Sequence, residues 1–520
     1  MGQAIDQLRS HLHGTRLLGS IASTLYFDQN TLMPAEGSAW RGAQLALLAR
    51  QLHGRQSNEA YADLIEAAAQ ELALAHPAGP GGDGEPHPGW PRNLELLRQD
   101  LRRQRNQDPA LVGHLVQAQS RGYSLWQEAR TRSDFAMFAP ALNELIALRR
   151  EQASQLAVGE TGADGQPRSC WETLAQPFEP EISQQTLGTL FTPLRQRLPE
   201  LLARVEARRS EGAEAPDALE LPEALQLELC QTLLDDWGFD GRIAVLARSP
   251  HPFSCTLGPS DFRLTTRIVP GSPYSAFLAT AHEWGHSLYE QGLPRRSDQW
   301  FAWPLGDATS MGVHESQSLF WECRIARSEA FARRWHPRFK AALGSDPWGS
   351  AAGLWRALNP LNPGLNRVEA DELSYGLHIL LRYELELALL EGDLPVEALP
   401  GEWNRLMGEL LGLTPANDAE GCLQDVHWSE GLFGYFPSYL LGHLISAQLS
   451  QAMERDGGPI ERRLAAGDDQ ALLVWLREHV HPLGRSVDGA ELVERVSGAP
   501  LSAVPFLSYL EDKLNRLEAT

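Results

Sequence analysis

A chain of 520 residues allows three or four domains at roughly 150 residues each, and 43% hydrophobic with 22% charged residues excludes a wholly disordered polymer and supplies a sizeable core. Lys and Arg number 45 against 67 Asp and Glu, a net charge of −22. That excess repels phosphate backbones, and the densest basic runs (Arg102-Arg103, Arg295-Arg296, Arg462-Arg463) are short and far apart, so nucleic acid is excluded as a partner.

In chain order, Met1 to Leu18 is polar and mixed in charge, which does not read as a signal peptide, and Asp6 stands where a myristoylation start requires Ser or Thr. His76 to Pro91 is dense in Gly and Pro and is expected to be an exposed loop; no Gly-Lys-Ser/Thr follows it to make a phosphate cradle. Segments 93–107, 110–130, 135–157, 183–210 and 219–236 are rich in Leu and Ala at helical period, with a short polar linker from Gly159 to Ser169. Strand-like composition is confined to about 253–269, around Phe262-Arg263-Leu264-Thr265-Thr266-Arg267-Ile268-Val269. A helix is predicted over 275–291, and Leu373, Leu377, Leu380, Leu381 and Leu385 form one apolar stripe on another. The expected fold is mainly α: one large helical domain over 1–520, with an N-terminal lobe of about 1–240, a motif-bearing part of about 241–520, and one small β-sheet near the metal-binding helix. No apolar run reaches the length of a membrane span. The five cysteines (Cys170, Cys230, Cys255, Cys323, Cys422) contain no C-x-x-C pair, which points to a reducing, cytoplasmic setting and gives no thiolate metal site.

The sharpest motif is His282-Glu283-Trp284-Gly285-His286 within the predicted helix 275–291. Four residues are slightly more than one helical turn, so both imidazoles project from one face and can hold one ion. Glu283 sits beside that face as a general base for a metal-activated water, and Trp284 points away and is expected to pack. A third ligand is required, and Glu315 in His314-Glu315-Ser316-Gln317-Ser318, 29 residues beyond His286, is the candidate. A second antiparallel helix after the turn Gly292 to Pro304 would return it to the histidines. Two His and one Glu with an open position suit Zn²⁺ and peptide hydrolysis, and such a site accepts Co²⁺ or Mn²⁺ as well. Asp307 is expected either to orient a ligand imidazole or to cap the helix that follows.

Together with this motif, His251-Pro252-Phe253-Ser254, Asp261-Phe262-Arg263-Leu264-Thr265-Thr266-Arg267, His314-Glu315-Ser316-Gln317, Arg367-Val368-Glu369-Ala370-Asp371 and Gly421-Cys422-Leu423-Gln424-Asp425-Val426-His427-Trp428, running on into Gly434-Tyr435-Phe436-Pro437, resemble the carboxypeptidase Taq family of metallocarboxypeptidases. The likeness is strongest over 250–445 and thinner before 240, where Tyr26-Phe27-Asp28-Gln29 and Met33-Pro34 carry it. The resemblance implies two helical lobes around a deep groove, a homodimer, and removal of single residues from peptides with a free C-terminus. It implies His282, His286 and Glu315 as metal ligands and Glu283 as general base. Arg367 is the first choice for the cation that pairs with the terminal carboxylate and Arg263 the second; the plain reading of Arg367 is an ion pair with Glu369 or Asp371. His427 and Tyr435 are candidates to stabilise the oxyanion, with the plain reading that both pack. Gln424, supporting that loop with Asp425, and His251 complete the substrate-binding candidates, and His378 and Arg382 read as structural. An endo-oligopeptidase on a related scaffold is the alternative, followed by a catalytically inactive helical scaffold. The chain departs from the family pattern in four places: about three extra residues around Arg295 to Trp300, Phe27 in place of Trp, Asn366 in place of an apolar residue, and a shortened Gly238 to Ser249. These touch loops and the groove wall, and therefore substrate preference rather than metal binding.

Overall fold

The computed structural model describes residues 2–75, 89–162, 165–209, 221–269, 271–272, 274–295, 301–392 and 394–519. The first four helices, α1 (Gln3–Thr31), α2 (Ser38–Ser57), α3 (Glu59–Ala75) and α4 (Gly89–Arg105), form a unit with its own small core. Ile5, Leu8 and Leu12 of α1, spaced one turn apart, meet Tyr61, Ile65 and Ala68 of α3 and Trp90, Leu94, Leu97 and Leu101 of α4. Trp303 is inserted from far along the chain and meets Trp90 edge-on at 4.9 Å. The expected loop His76 to Pro91 ends three residues early. Helix α4 already begins at Gly89 and takes Pro91 into its first turn, where the missing N–H has no intrahelical partner to lose. Residues 76–88 of that loop lie outside the described residues.

Helices α5 (Pro109–Arg132), α6 (Phe135–Leu156), α7 (Cys170–Ala175), α8 (Gln184–Arg209) and α9 (Glu223–Asp236) enter a second, much larger core that runs from Trp126 to Leu514. Helix α8 contains Pro193 and Pro199 yet continues, because Leu187, Leu190, Leu194, Leu198, Leu201 and Val205 keep one buried stripe through both prolines; tertiary burial outweighs local propensity.

A three-stranded sheet follows: β1 (Ala244–Arg248), β2 (Ser254–Gly258) and β3 (Asp261–Thr266), in the order β1-β3-β2. Strand β2 pairs antiparallel with β3, whereas β1 runs parallel to it with Ala244 opposite Phe262. The segment 253–269, expected to be strand-like, supplies two strands. Strand β1 was not predicted: Ala-Val-Leu-Ala-Arg lacks alternation, and the open edge of β3 recruits it. Helix α1 lies across the sheet, with Tyr26 and Phe27 edge-on to Phe253 at 5.4 and 5.9 Å.

The chain then becomes helical again: α10 (Ser275–Gly292), α11 (Met311–Leu319), α12 (Glu329–Leu343), α13 (Ala351–Leu358), α14 (Glu372–Glu391), α15 (Leu399–Leu411), α16 (Phe436–Gly457), α17 (Ile460–Ala465), α18 (Asp469–His479), α19 (Gly489–Ser497) and α20 (Val504–Ala519). The architecture is mainly α, with the small sheet beside α10. None of the described helices is long and apolar enough to cross a membrane.

Candidate metal centre

Helix α10 is amphipathic in an unusual sense, since both of its faces are inside the protein. Ala281, Trp284 and Leu288 face the large core; Trp284 is fully buried and its indole N–H donates to the Trp237 carbonyl at 3.2 Å, so this bulky residue packs as expected. The other face presents His282, Glu283 and His286. Helix α11, capped by the Ser310 hydroxyl accepting from the Val313 N–H, lies against it. Two glycines permit the approach. A Cβ on Gly285 would fall 2.8 Å from Ser318 Cα, and one on Gly442 of α16 would fall 2.6 Å from Glu315 Cγ. Helix α11 is therefore held between α10 and α16 at the level of Glu315.

The Nε2 atoms of His282 and His286 lie 3.8 and 3.6 Å from Glu315 Oε2, and the three donor atoms are all within 4.8 Å of one another. The Nδ1 atoms point elsewhere: His282 to Glu322 Oε2 at 3.0 Å, His286 to the His314 carbonyl at 3.1 Å. Carboxylate and carbonyl only accept, so the ring protons reside on Nδ1 and both Nε2 lone pairs converge on Glu315. This N, N, O donor set fits a divalent transition-metal ion. The electrostatics agree. Burial disfavours a charge on His282, but Glu315, Glu322 and Glu283 reverse it and push its pKa up to about 10, the mark of a pocket that favours a cation. Burial opposes charge on Glu322 too, yet Arg327 and His282 hold it down at about 2. Glu283 is buried beside the triad; burial pushes its carboxyl up to about 7, while His282 and the Ser254 hydroxyl pull in the other direction.

A second constellation lies on α14, α16 and the segments that precede each of them. Arg367 is buried, donating from Nε to Asp425 Oδ1 at 2.8 Å and from Nη1 to the Tyr375 hydroxyl at 3.2 Å, while Gln424 Oε1 accepts its backbone N–H at 3.0 Å. Its ion pair is with Asp425 rather than with Glu369 or Asp371; Asp371 instead caps α14, accepting from the N–H groups of Leu373 and Ser374. Arg382, fully buried, donates to the same Asp425 and to Gln424 at 2.6 and 2.7 Å. Gln424 Nε2 donates to the carbonyls of Leu365 and Glu420, so its amide is committed at both ends. His378 donates to the Gly364 carbonyl. His427 Nε2 is 3.4 Å from the Tyr439 hydroxyl, and Tyr439 is also hydrogen-bonded to Tyr435. Both tyrosine hydroxyls sense the Glu315 charge, which sets them on the metal side. Behind them the buried Glu386 accepts from the indoles of Trp171 and Trp428 and from the Gly434 N–H at 3.0–3.2 Å, clamping the segment that carries His427 and Tyr435.

The chain matches the family model "Carboxypeptidase Taq (M32) metallopeptidase" over residues 7–514. It belongs to that family. Thermostable carboxypeptidase 1 of Thermus thermophilus is 38% identical over 515 residues, 98% of each chain. Among solved structures, the M32 carboxypeptidase of Deinococcus radiodurans R1 is similar with a TM-score of 0.91 and 32% identity, covering 99% of this chain and 100% of that one. Trypanosoma cruzi metallocarboxypeptidase 1 is similar with a TM-score of 0.90 and 32% identity, covering 98% and 99%. The protein is thus an enzyme of the M32 metallocarboxypeptidase type.

Within this M32 chain the remaining candidates lie apart from the metal triad. Arg263, on β3, is held by Asp261 through two bonds of 2.9 Å and stacks over Phe27 at 5.1 Å. His251 is on an exposed turn before β2, where its carbonyl accepts from Ser249 Oγ. Asp307 neither orients an imidazole nor caps the helix that follows, whose cap is Ser310. It is an inter-element ion-pair partner, 2.6 Å from Arg16 of α1 and 3.6 Å from Arg295. The extra residues placed around Arg295 to Trp300 fall mostly on 296–300, outside the described residues. Sequence reasoning missed Glu322, Tyr375 and Tyr439. Tyr439 was accessible, one turn beyond Tyr435 on the same helix. Glu322 was not, because the chain turns as a π-helix over Phe320–Ala326 and breaks the 3.6-residue count from Glu315.

Three adjoining cavities run along the four-helix unit, the first of them beside the metal centre, where His314 stacks on His286 at 4.4 Å. One of about 310 Å³ is lined by Ser254, Thr256 and His314 and shares Arg16 and Gly19 with a second of about 370 Å³. That second cavity shares Asp100, Arg103, Gln104 and Asp307 with a third of about 600 Å³. Together they form one trench.

Proposed function

We propose that this enzyme removes single amino acids from the free C-termini of peptides, with His282, His286 and Glu315 holding one divalent ion and Glu283 acting as general base. The convergence of both Nε2 lone pairs on Glu315, with a buried carboxyl adjacent, carries the reading. When bound, the ion supplies Lewis acidity toward a carbonyl oxygen and acidifies water. Zn²⁺ suits the donor set first, and Co²⁺ and Mn²⁺ also satisfy it. Glu283 takes a proton from the attacking water and passes it to the departing amine nitrogen, and burial, which pushes its carboxyl above the usual range, strengthens it as a base.

Arg367 pairs with the terminal carboxylate. Its Nε and Nη1 are fixed by Asp425 and Tyr375 while Nη2 makes no hydrogen bond among the described residues. Arg263 is the second choice, because it lies over Phe27, whereas Arg367 lies over Tyr439, whose hydroxyl senses Glu315. His427 and Tyr435 donate toward the developing oxyanion, with Gln424 and His251 shaping the substrate cleft. The five cysteines are all unpaired, which supports a cytoplasmic setting; homodimer assembly rests on the family resemblance. Glu283→Gln tests the mechanism. Bound metal, measured by mass spectrometry of the metal content, should stay at one per chain while kcat falls about 10²- to 10⁴-fold. Unchanged turnover, or loss of the metal, would remove Glu283 from the assigned role.

A further inference from the structure

The far end of the trench, between α4 and α6, holds a charge imbalance that hydrolysis does not use. Arg103, Arg149, Arg168 and Arg485 line the cavity of about 600 Å³ there. Two of them are matched: Arg168 pairs with Glu181 at 2.7 Å and Glu160 at 3.6 Å, and Arg485 with Asp100 at 3.5 Å. The remaining acid of the cavity wall, Asp307, is taken by Arg16. Arg103 and Arg149 have no carboxylate partner among the described residues. Arg103 donates to the Thr173 carbonyl at 3.0 Å and Arg149 to the Gln152 amide oxygen at 2.5 Å. The buried Nε of Arg149 has no acceptor. Gly431 lies directly against this guanidinium; a Cβ there would come within 3.0 Å of Nε. A row of amides ties the two arginines into one wall, Gln152 donating to Gln107 at 2.6 Å and Gln107 to the Arg103 carbonyl at 3.2 Å. Burial alone depresses Arg149 to about 10, with no neighbouring charge in compensation. Asp100 and Glu160, each already paired elsewhere, offset the burial of Arg103 only in part, and the Arg149 guanidinium is left costly unless a ligand supplies the anion.

We propose that Arg103 and Arg149 form a distal subsite for the side-chain carboxylate of an Asp or Glu in the peptide, upstream of the residue being removed. This rests on the peptidase reading above. Walls shared at Arg16, Gly19, Arg103 and Asp307 join the subsite's cavity to the one lined by Ser254 and His314, which neighbour Glu283 and His286. Because Asp100, Glu160 and Glu181 are already paired, the cavity selects an anion over a cationic side chain or a peptide amino terminus. Guanidinium planes favour carboxylate geometry.

The test walks a single Glu through every upstream position of an alanine-background peptide with a constant C-terminal residue, with Lys as the counter-probe. At one position Glu should exceed Ala in kcat/KM by about tenfold, mostly through KM, and Lys should fall below Ala. The Glu:Ala ratio should drop to about one in Arg149→Gln and Arg103→Gln and be partly retained in Arg149→Lys. Each ratio compares two substrates on one sample, so loss of folded protein cancels. No acidic preference at any position, or one that survives in the Arg103→Gln/Arg149→Gln double variant, overturns the proposal. Calorimetry of the same peptides on metal-loaded Glu283→Gln gives the binding ratio without turnover. If the wild type hydrolyses none of them, the peptidase reading fails while the binding ratio still decides the subsite. Inorganic phosphate is the free-anion arm. Stabilisation of the wild type but not of the double variant by phosphate, with no effect of peptide acidity, would make this a free-anion site and overturn the substrate assignment.

Discussion

The single hydrogen bond from His282 Nδ1 to Glu322 decides which imidazole nitrogen is free for a metal, and the Arg327 pair at 2.9 Å keeps Glu322 ionised and in place. Glu322→Gln should therefore weaken metal affinity about 10- to 100-fold, read by chelator competition; unchanged affinity would show that the π-helical carboxylate does not govern the histidine. Arg367 admits a parallel test. Since Arg382 continues to hold Asp425, Arg367→Gln should leave the fold intact and reduce kcat/KM on free-acid peptides about a hundredfold. The legible residues were those whose spacing is dictated by one helical turn, His282, Glu283 and His286, or by an antiparallel return, Glu315. Arg367 could not be ranked against Arg263 on spacing, because their roles depend on which acid each meets. Asp425 and Asp261 are 58 residues after Arg367 and two residues before Arg263, respectively.

Helix α11 owes its position to what its neighbours lack. Gly285 and Gly442 remove side chains where α10 and α16 press on it. Alanine in place of Gly442 gains about 1 kcal/mol of helix propensity, but its Cβ would overlap Glu315 Cγ, and overpacking of this kind costs about 1–3 kcal/mol. Gly442→Ala should thus be neutral to mildly destabilising in urea melts and should weaken metal binding markedly, because Glu315 must swing away. Retention of full metal affinity would mean that α16 does not set the ligand's position. At this scale the sequence was readable wherever an apolar stripe ran unbroken, as in α8 and α14. It was unreadable where a neighbour's open edge supplied the order, as for β1, or where a helix left 3.6-residue periodicity at Phe320–Ala326.

Across the whole molecule, buried ionisable groups set the pH response. Burial pushes His378, His427 and His481 down to about 3 and His443 to about 4. The unfolded chain takes up these four protons near pH 6.5, and the folded one does not, so their contribution is present above pH 6.5 and is lost on acidification. Glu179 and Glu386, raised by burial to about 7, act in the opposite sense between pH 4.5 and 7. Among these six groups the balance favours the histidines by two protons, and the metal-site groups are left to the ion. Stability should fall by about 3 kcal/mol from pH 6.5 to pH 5, measurable as thermal midpoints of the metal-loaded protein; a flat profile would contradict this balance. The chain belongs to the metallocarboxypeptidases, and the mode of attack proposed for it is decided by one comparison. One peptide is presented as free acid and as C-terminal amide, each with the metal-loaded and the chelated enzyme, and the products are weighed. Stepwise loss of single residues from the free acid alone, stopped by chelation and restored by Zn²⁺, is the expected result. Internal cleavage of both forms would contradict it and make the protein an endo-oligopeptidase.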